Sequence, residues 1–266
     1  GDLDGALSHL QEAERRFLPS AVPEMRPVAA RRARVWIRQG RAEAALAWAE
    51  DAGLSAEDAL IYPREYEHVT LGRALLALGQ QRREAAPMQK AAGLFDRLGQ
   101  AAEAGGRPGS LIEILALKAL ALQTLSRLPQ AMAALHQALC LAAPEGFLRV
   151  FIDEGEALRC LLDDYGTWRN RPADNRLVDD FAYRLQAAFA QTAPPATSQP
   201  GLVEPLSDRE LEVLRLIALG HSNPEIASRL CVAVNTIKGH NQRIFGKIGA
   251  KTRTEAVARA RELGLL

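Results

Sequence analysis

Cysteine is scarce in this 266-residue chain, and the three present, Cys140, Cys160 and Cys231, are scattered and odd in number. They form neither a disulfide framework nor a metal-binding spacing, which argues against a stapled secreted scaffold and for a reducing, cytoplasmic compartment. Aromatic residues are only 5% of the chain, and no convincing strand pattern occurs in residues 1 to about 190, so a sheet is not expected. No apolar run reaches the length of a membrane-spanning helix, and no signal peptide opens the chain. The five histidines, His9, His68, His136, His221 and His240, are dispersed with none at metal-ligand spacing; His240, two residues after Lys238, could touch a phosphate. The G-x-x-x-x-G-K-S/T loop that cradles nucleotide phosphates is also missing, so no cofactor and no metal is assigned. The residues offer no catalytic constellation, and the chain is not expected to be an enzyme.

What is abundant is alanine and leucine, within 48% hydrophobic and 24% charged residues. That composition suits a soluble, all-α protein with room for two domains. The chain starts on Gly1 rather than Met, and GDLDGAL begins as if in mid-pattern, so a longer parent protein is expected. Residues 1–190 read as consecutive helices in which one phrase recurs. GDLDGALSHLQEA, QGRAEAALAWAEDAG and LGQQRREAAPMQKAAGLF each pair a turn glycine with a polar stretch and an Ala-rich amphipathic helix. The glycines Gly1, Gly40 and Gly79 lie 39 residues apart, and Ser126 takes the glycine's place 47 residues later.

A period near forty with paired helices marks a TPR-like α-solenoid, in which stacked hairpins bury stripes that one hairpin cannot. Helices are expected at about 3–17, 25–39, 41–52, 62–79, 81–103, 110–126 and 130–142. Small residues such as Ala30, Ala45, Gly72 and Ala116 permit close approach between them, and Trp36 and Trp48 are read as packing residues. Gly105-Gly106-Arg107-Pro108-Gly109 is a break, with Ser110 and Glu113 capping the next helix. Asp153, Glu154, Glu156, Asp163 and Asp164 then read as a solvated acidic face rather than a cation site. A helix at about 175–191 turns Leu177, Val178, Phe181, Leu185 and Ala188 inward. Residues 191–205, QTAPPATSQPGLVEP, form a Pro-rich linker, exposed and semi-rigid.

The last stretch, 206–266, reads as four short helices. Ser207 with Glu210, Ser222 with Glu225, and Thr252 with Glu255 each match the S/T-x-x-E capping box, in which hydroxyl and carboxylate satisfy backbone N–H groups of the first turn. The first helix carries Leu211, Leu214 and Ile217 or Ala218 on one face and closes on Gly220. The second, Asn223 to Leu230, has Pro224 in its first turn and an inner face of Ile226, Ala227 and Leu230. A tight turn then leads to a third helix, Asn235 to about Ile248, completing a helix-turn-helix.

At about 100° per residue the third helix separates into two faces. Ile237, Ile244 and Ile248 fall inward, while Asn235, Lys238, Gly239 and Gln242 fall outward without a carboxylate, as suits a helix in the major groove. Lys238 can donate to guanine acceptors or phosphate, and Gln242 can pair bidentately with adenine. From Arg229 to Arg261 there are eight basic residues against one acid, Glu255, in a chain of net charge +1. Such a stripe is the footprint of phosphate binding; Asp208, Glu210 and Glu212 are placed away from it.

LSDRELEVLRLIALG, SNPEIASRL, NTIKGH and KTRTEAVARARELGLL resemble the LuxR-type helix-turn-helix DNA-binding domain. RVWIRQGRAEAALAWAEDAGLS, YPREYEHVTLGRALLALGQ, GSLIEILALKALALQTL and PEGFLRVFIDEG resemble the repeat domain of large MalT-like regulators. The resemblance implies a transcriptional regulator that binds double-stranded DNA as a homodimer through its last helix, Arg253 to Leu263, and recruits RNA polymerase. It puts Lys238, Gly239 and Gln242 at base edges and Asn235, Thr236, Arg243, Lys247, Lys251 and Arg253 near phosphates. It further implies a small-molecule or protein inducer on the repeats, and ATP only in an upstream domain. Three positions depart from the family pattern: Ala233 where a capping Ser is usual, Asn241 on the apolar row where Leu is usual, and Gly239, which has no side chain to read a base. The residues by themselves leave two other readings: an interaction scaffold whose last domain dimerises, or a regulatory segment of an upstream ATPase.

Overall fold

The computed structural model describes residues 2–16, 24–166, 168, 176–192, 206, 208–230 and 234–266. It divides into two compact units, Gly1–Leu161 with Trp168–Tyr183, and Leu162–Thr167 with Arg184–Leu266. Among the described residues there is no strand, and no helix is long and apolar enough to cross a membrane.

The first unit is built from α1 (Leu3–Arg15), α2 (Val28–Arg38), α3 (Ala42–Asp51), α4 (Glu65–Arg82), α5 (Ala85–Ala104), α6 (Pro108–Thr124) and α7 (Leu128–Ala142), with a 3-10 turn at Tyr62–Arg64. Each helix packs on the next, and α2 with α4 and α4 with α6 also touch, the neighbour-on-neighbour pattern of a repeat stack. α6 lies deepest. Ten of its residues, from Leu111 to Leu122, are buried, so it is apolar around nearly its whole circumference, as a helix enclosed by others must be. Ala30, Ala45 and Ala116 are fully buried. A Cβ on Gly72 would lie 2.5 Å from the Phe95 ring, so close approach at that point requires glycine. Trp48 is buried, while Trp36 is flanked by the guanidinium groups of Arg32 and Arg41.

The repeat period differs from the expected one. Gly79 is buried within α4 and marks no turn; a Cβ there would meet Met88 Cγ at 2.5 Å and the Glu84 carbonyl at 3.1 Å. The helix runs three residues further, to Arg82, and is capped by the left-handed Arg83. Left-handed backbone occurs at Gly40, Arg83 and Ser126, evenly spaced, each 43 residues after the last. Ser126 does take the glycine's conformation, at a cost a β-carbon imposes. Gly1 lies outside the described residues.

The turn at Gly106 is left-handed as expected, but Ser110 and Glu113 do not cap α6. That helix begins at Pro108 behind Arg107 with no side-chain cap bond, and Glu113 is paired with two arginines. The acidic face also needs correction. Glu154 is largely buried and ion-paired with Arg73, and without it that guanidinium would be left with less compensation for its burial. A short helix, α8 (Arg149–Ile152), precedes it and buries Phe151, which meets Phe181 edge-on at 5.9 Å.

α9 (Glu156–Gly166) and α10 (Arg176–Thr192) follow. Val178, Phe181 and Leu185 are buried along α10 as expected, joined by Phe189, whereas Leu177 is 52% exposed. α10 includes Gln191 and Thr192, so the helix takes the first two residues assigned to the linker. Residues 193–205 lie outside the described set.

Candidate nucleic-acid interface

The second unit carries α11 (Asp208–Ala218), α12 (Asn223–Leu230), α13 (Val234–Ile248) and α14 (Arg253–Glu262). α13 packs on the other three. Its inward row is fully formed: Ile237 and Ile244 are 0% exposed and Ile248 is 3%. They join Val213, Leu214, Ile217, Ile226, Ala227, Ala256 and Ala260 in one core. Leu211 and Leu230 are half-buried against it, and Val213 is a core position that the sequence pattern omitted. Gly220 is left-handed after α11, as its position predicted.

Two of the three capping boxes lie within the described residues, and each forms one of its two bonds. Glu225 accepts from Ser222 N at 2.7 Å and from the Ser222 hydroxyl at 2.8 Å; the backbone bond holds this carboxyl below its ordinary range. Thr252 accepts from Glu255 N at 3.2 Å, and Glu255 reaches back to Lys251 N rather than to the cap residue itself. Ser207 lies outside the described residues, as do Cys231, Val232 and Ala233. Glu210 is 4% exposed and bonds Lys247 at 2.9 Å. It therefore touches the back of α13 instead of standing apart from it.

The outward face of α13 is exposed at Asn235, Lys238 and Gln242. None of the three is engaged in a hydrogen bond or ion pair among the described residues. A Cβ on Gly239 or Gly246 would meet nothing within 4 Å, so the protein's own packing demands neither glycine. Lys251, beyond the end of α13, is also exposed.

Other predicted contact residues are committed within the unit. Lys247 joins α13 to α11 through Glu210. Arg253 donates to the carbonyls of Ile217, at 3.4 Å, and His221, capping α11 and tying α14 to it. Thr236 donates to Asp164, whose carboxyl is pushed up by burial against the opposing pull of that bond. Arg243 lies 3.7 Å from Asp163. His240 is 3% exposed and, contrary to expectation, cannot reach a phosphate from there. Asn241 is buried and donates to Asn223 at 2.9 Å while its own oxygen finds no partner. It is a polar tie between α12 and α13 that the sequence did not foretell.

A helical repeat stack and a helix-turn-helix unit with a basic, unoccupied face define a class: an all-α protein with a candidate nucleic-acid interface. Residues 1–167 match the model of the MalT-like TPR region, and residues 204–260 match that of the bacterial regulatory proteins of the luxR family. The chain belongs to the MalT-like class of LuxR-type regulators. It is 29% identical over 283 residues to the HTH-type transcriptional regulator MalT of Serratia proteamaculans, an alignment covering 99% of this chain and 30% of that protein. It is 33% identical over 151 residues to MalT of Klebsiella pneumoniae (52% of this chain, 17% of that one). With MalT of Yersinia pestis it shares 32% over 148 residues, 50% of this chain and 16% of the other. The chain thus spans less than a third of the length of these relatives. No solved structure matches it.

Proposed function

We propose that this chain acts as the DNA-reading and signal-receiving portion of a cytoplasmic transcriptional regulator, without catalysis of its own. Residues 206–266 bind double-stranded DNA, residues 1–192 receive a small-molecule or protein inducer, and 193–205 serve as the hinge. α13 enters the major groove, with Lys238 donating to guanine or phosphate and Gln242 pairing with adenine. Gly239 lets the backbone come close to the bases. Asn235 and Lys251 reach phosphates, and Thr236 and Arg243 do so on exchanging Asp164 and Asp163 for them, while Lys247 and Arg253 hold α13 and α14 in place and add positive potential. α14 pairs two copies on a two-fold site, and the bound homodimer recruits RNA polymerase as an activator.

One observation carries this reading: Asn235, Lys238 and Gln242 stand exposed on α13, backed by three buried isoleucines. The test is a mobility shift of the 266-residue chain against pooled random-sequence DNA, repeated across a salt titration. Retarded DNA is expected, with log K falling linearly against log salt at a slope of several units. A flat plot, or no shift at low salt, would refute the reading and leave the helix-turn-helix unit as a dimerisation head.

A further inference from the structure

The repeat unit contains a cavity of about 90 Å³ lined by Arg34, Tyr62, Glu65, Tyr66, Ser110 and Glu113 among others. A pocket with two tyrosines and two glutamates looks at first like a cation site, but those groups are already taken. Glu65 accepts from Arg107 at 2.9 and 2.8 Å. Glu113 accepts from Arg34 at 2.9 Å and from Arg73 at 3.0 Å, both on the same oxygen. The face of Tyr66 is covered by Arg34 at 3.8 Å, with Arg26 at 5.8 Å, and that of Tyr62 by Arg107 at 5.0 Å. A further cation would have to share carboxylates and rings that already hold guanidinium groups.

What the pocket has to spare is donor capacity. Arg34 spends Nε on Thr70 and Nη1 on Glu113, and its Nη2 is buried with no partner. Burial pushes this guanidinium below its ordinary value, and Glu113 only partly restores it. Ser110 adds a hydroxyl at the wall. Arg34 and Arg73 balance Glu113 and Glu154, Arg107 balances Glu65, and exposed Arg26 remains as one surplus positive charge. A buried N–H donor without an acceptor is costly, and an oxyanion accepts from it in a charge-assisted hydrogen bond. The cavity is smaller than the roughly 150 Å³ that holds a benzene ring, so it takes a headgroup of a few heavy atoms.

We propose that this cavity binds the oxyanion group, carboxylate or phosphate, of a small metabolite, with Arg34 Nη2 as its principal donor and Ser110 beside it. The consequence for signalling rests on the reading of the repeats as the sensing part. Glu113 is shared between Arg34 and Arg73, and Arg73 also holds Glu154 at 2.9 Å. An anion that draws Arg34 toward itself loosens its hold on Glu113 and changes the pairing of Arg73 with Glu154, just ahead of α9.

The probes are pyruvate and inorganic phosphate, with glycerol as neutral control and tetramethylammonium as cationic control, titrated into the 266-residue chain by calorimetry and thermal unfolding. Saturable binding of at least one anion is expected, with a Kd on the order of millimolar or tighter. Arg34→Lys, which keeps the charge and loses the spare Nη2 donor, weakens it roughly tenfold or more. Ser110→Leu fills the cavity without touching the arginine network, and decides the matter if Arg34→Lys does not fold. Pyruvate alone binding selects a carboxylate, and phosphate alone a phosphate ester. The proposal is overturned if neither anion saturates, if the controls bind equally, or if a folded Arg34→Lys or Ser110→Leu protein binds like the parent. The mobility shift repeated with the bound anion separates the two readings: unchanged DNA affinity removes the sensing role and leaves the pocket. Loss of all DNA binding removes the DNA reading while the titration stands by itself.

Discussion

At the scale of single residues, the site depends on which polar side chains are left over once the helix-turn-helix unit has folded. Lys238 and Gln242 are left over; Lys247 and Arg253 are not. Lys238→Ala should therefore weaken binding to a cognate DNA site by about 1–3 kcal/mol with an unchanged melting temperature. An equal titration at fixed salt would remove Lys238 from the interface. Lys247→Met should behave differently, lowering the stability of the unit by roughly 1.5–3 kcal/mol, because it takes a charged hydrogen bond from nearly buried Glu210. Parallel thermal melts and mobility shifts of the two variants check the distinction. The isoleucine row and the outward face were readable from helical periodicity alone. The Lys247–Glu210 and Asn241–Asn223 contacts were not, since they join residues 37 and 18 positions apart on different helices.

At the scale of elements, the helices were legible and their junctions less so. Periodicity and Ala-rich composition locate α1 to α7 to within a few residues, because each helix must turn an apolar stripe toward its neighbours. The turn after α4 was misplaced because glycine has two uses, left-handed backbone and close approach, which look alike in a sequence. Gly79 serves the second use, and Arg83 accepts the left-handed backbone in its stead. Gly79→Ala should accordingly destabilise the repeat unit by about 1–3 kcal/mol, through overpacking against Met88. Gly93→Ala, exposed in the middle of α5 with nothing within 4 Å of an added Cβ, should stabilise it by about 0.5–1 kcal/mol. Urea unfolding of both variants tests the pair, and equal signs would reject the assignment of the turn.

At the scale of the whole molecule, charge is distributed so that a near-neutral chain presents one basic face and one buried ion network. Burial by itself would raise the Glu113 carboxyl, but Arg34 and Arg73 outweigh it and hold it below its ordinary value of 4.5. A carboxylate whose folded pKa is depressed contributes stability above its unfolded pKa, and loses it as pH falls toward the folded one. The repeat unit should thus melt at progressively lower temperature as pH is taken down from about 4.5, and Glu113→Gln should flatten that part of the profile. Melting curves from pH 7 downward measure it.

The order of the helices, the repeat architecture and the two faces of α13 were determined by the sequence alone. Those features arise from the local rules of helical period, turn propensity and composition. Only the tertiary structure decided which charges are spent inside, which glycine is a turn, and that Arg34, Tyr62, Tyr66, Ser110 and Glu113 line one cavity. These are questions of proximity between helices, and a residue's partner across a packed interface depends on distances that no local pattern encodes.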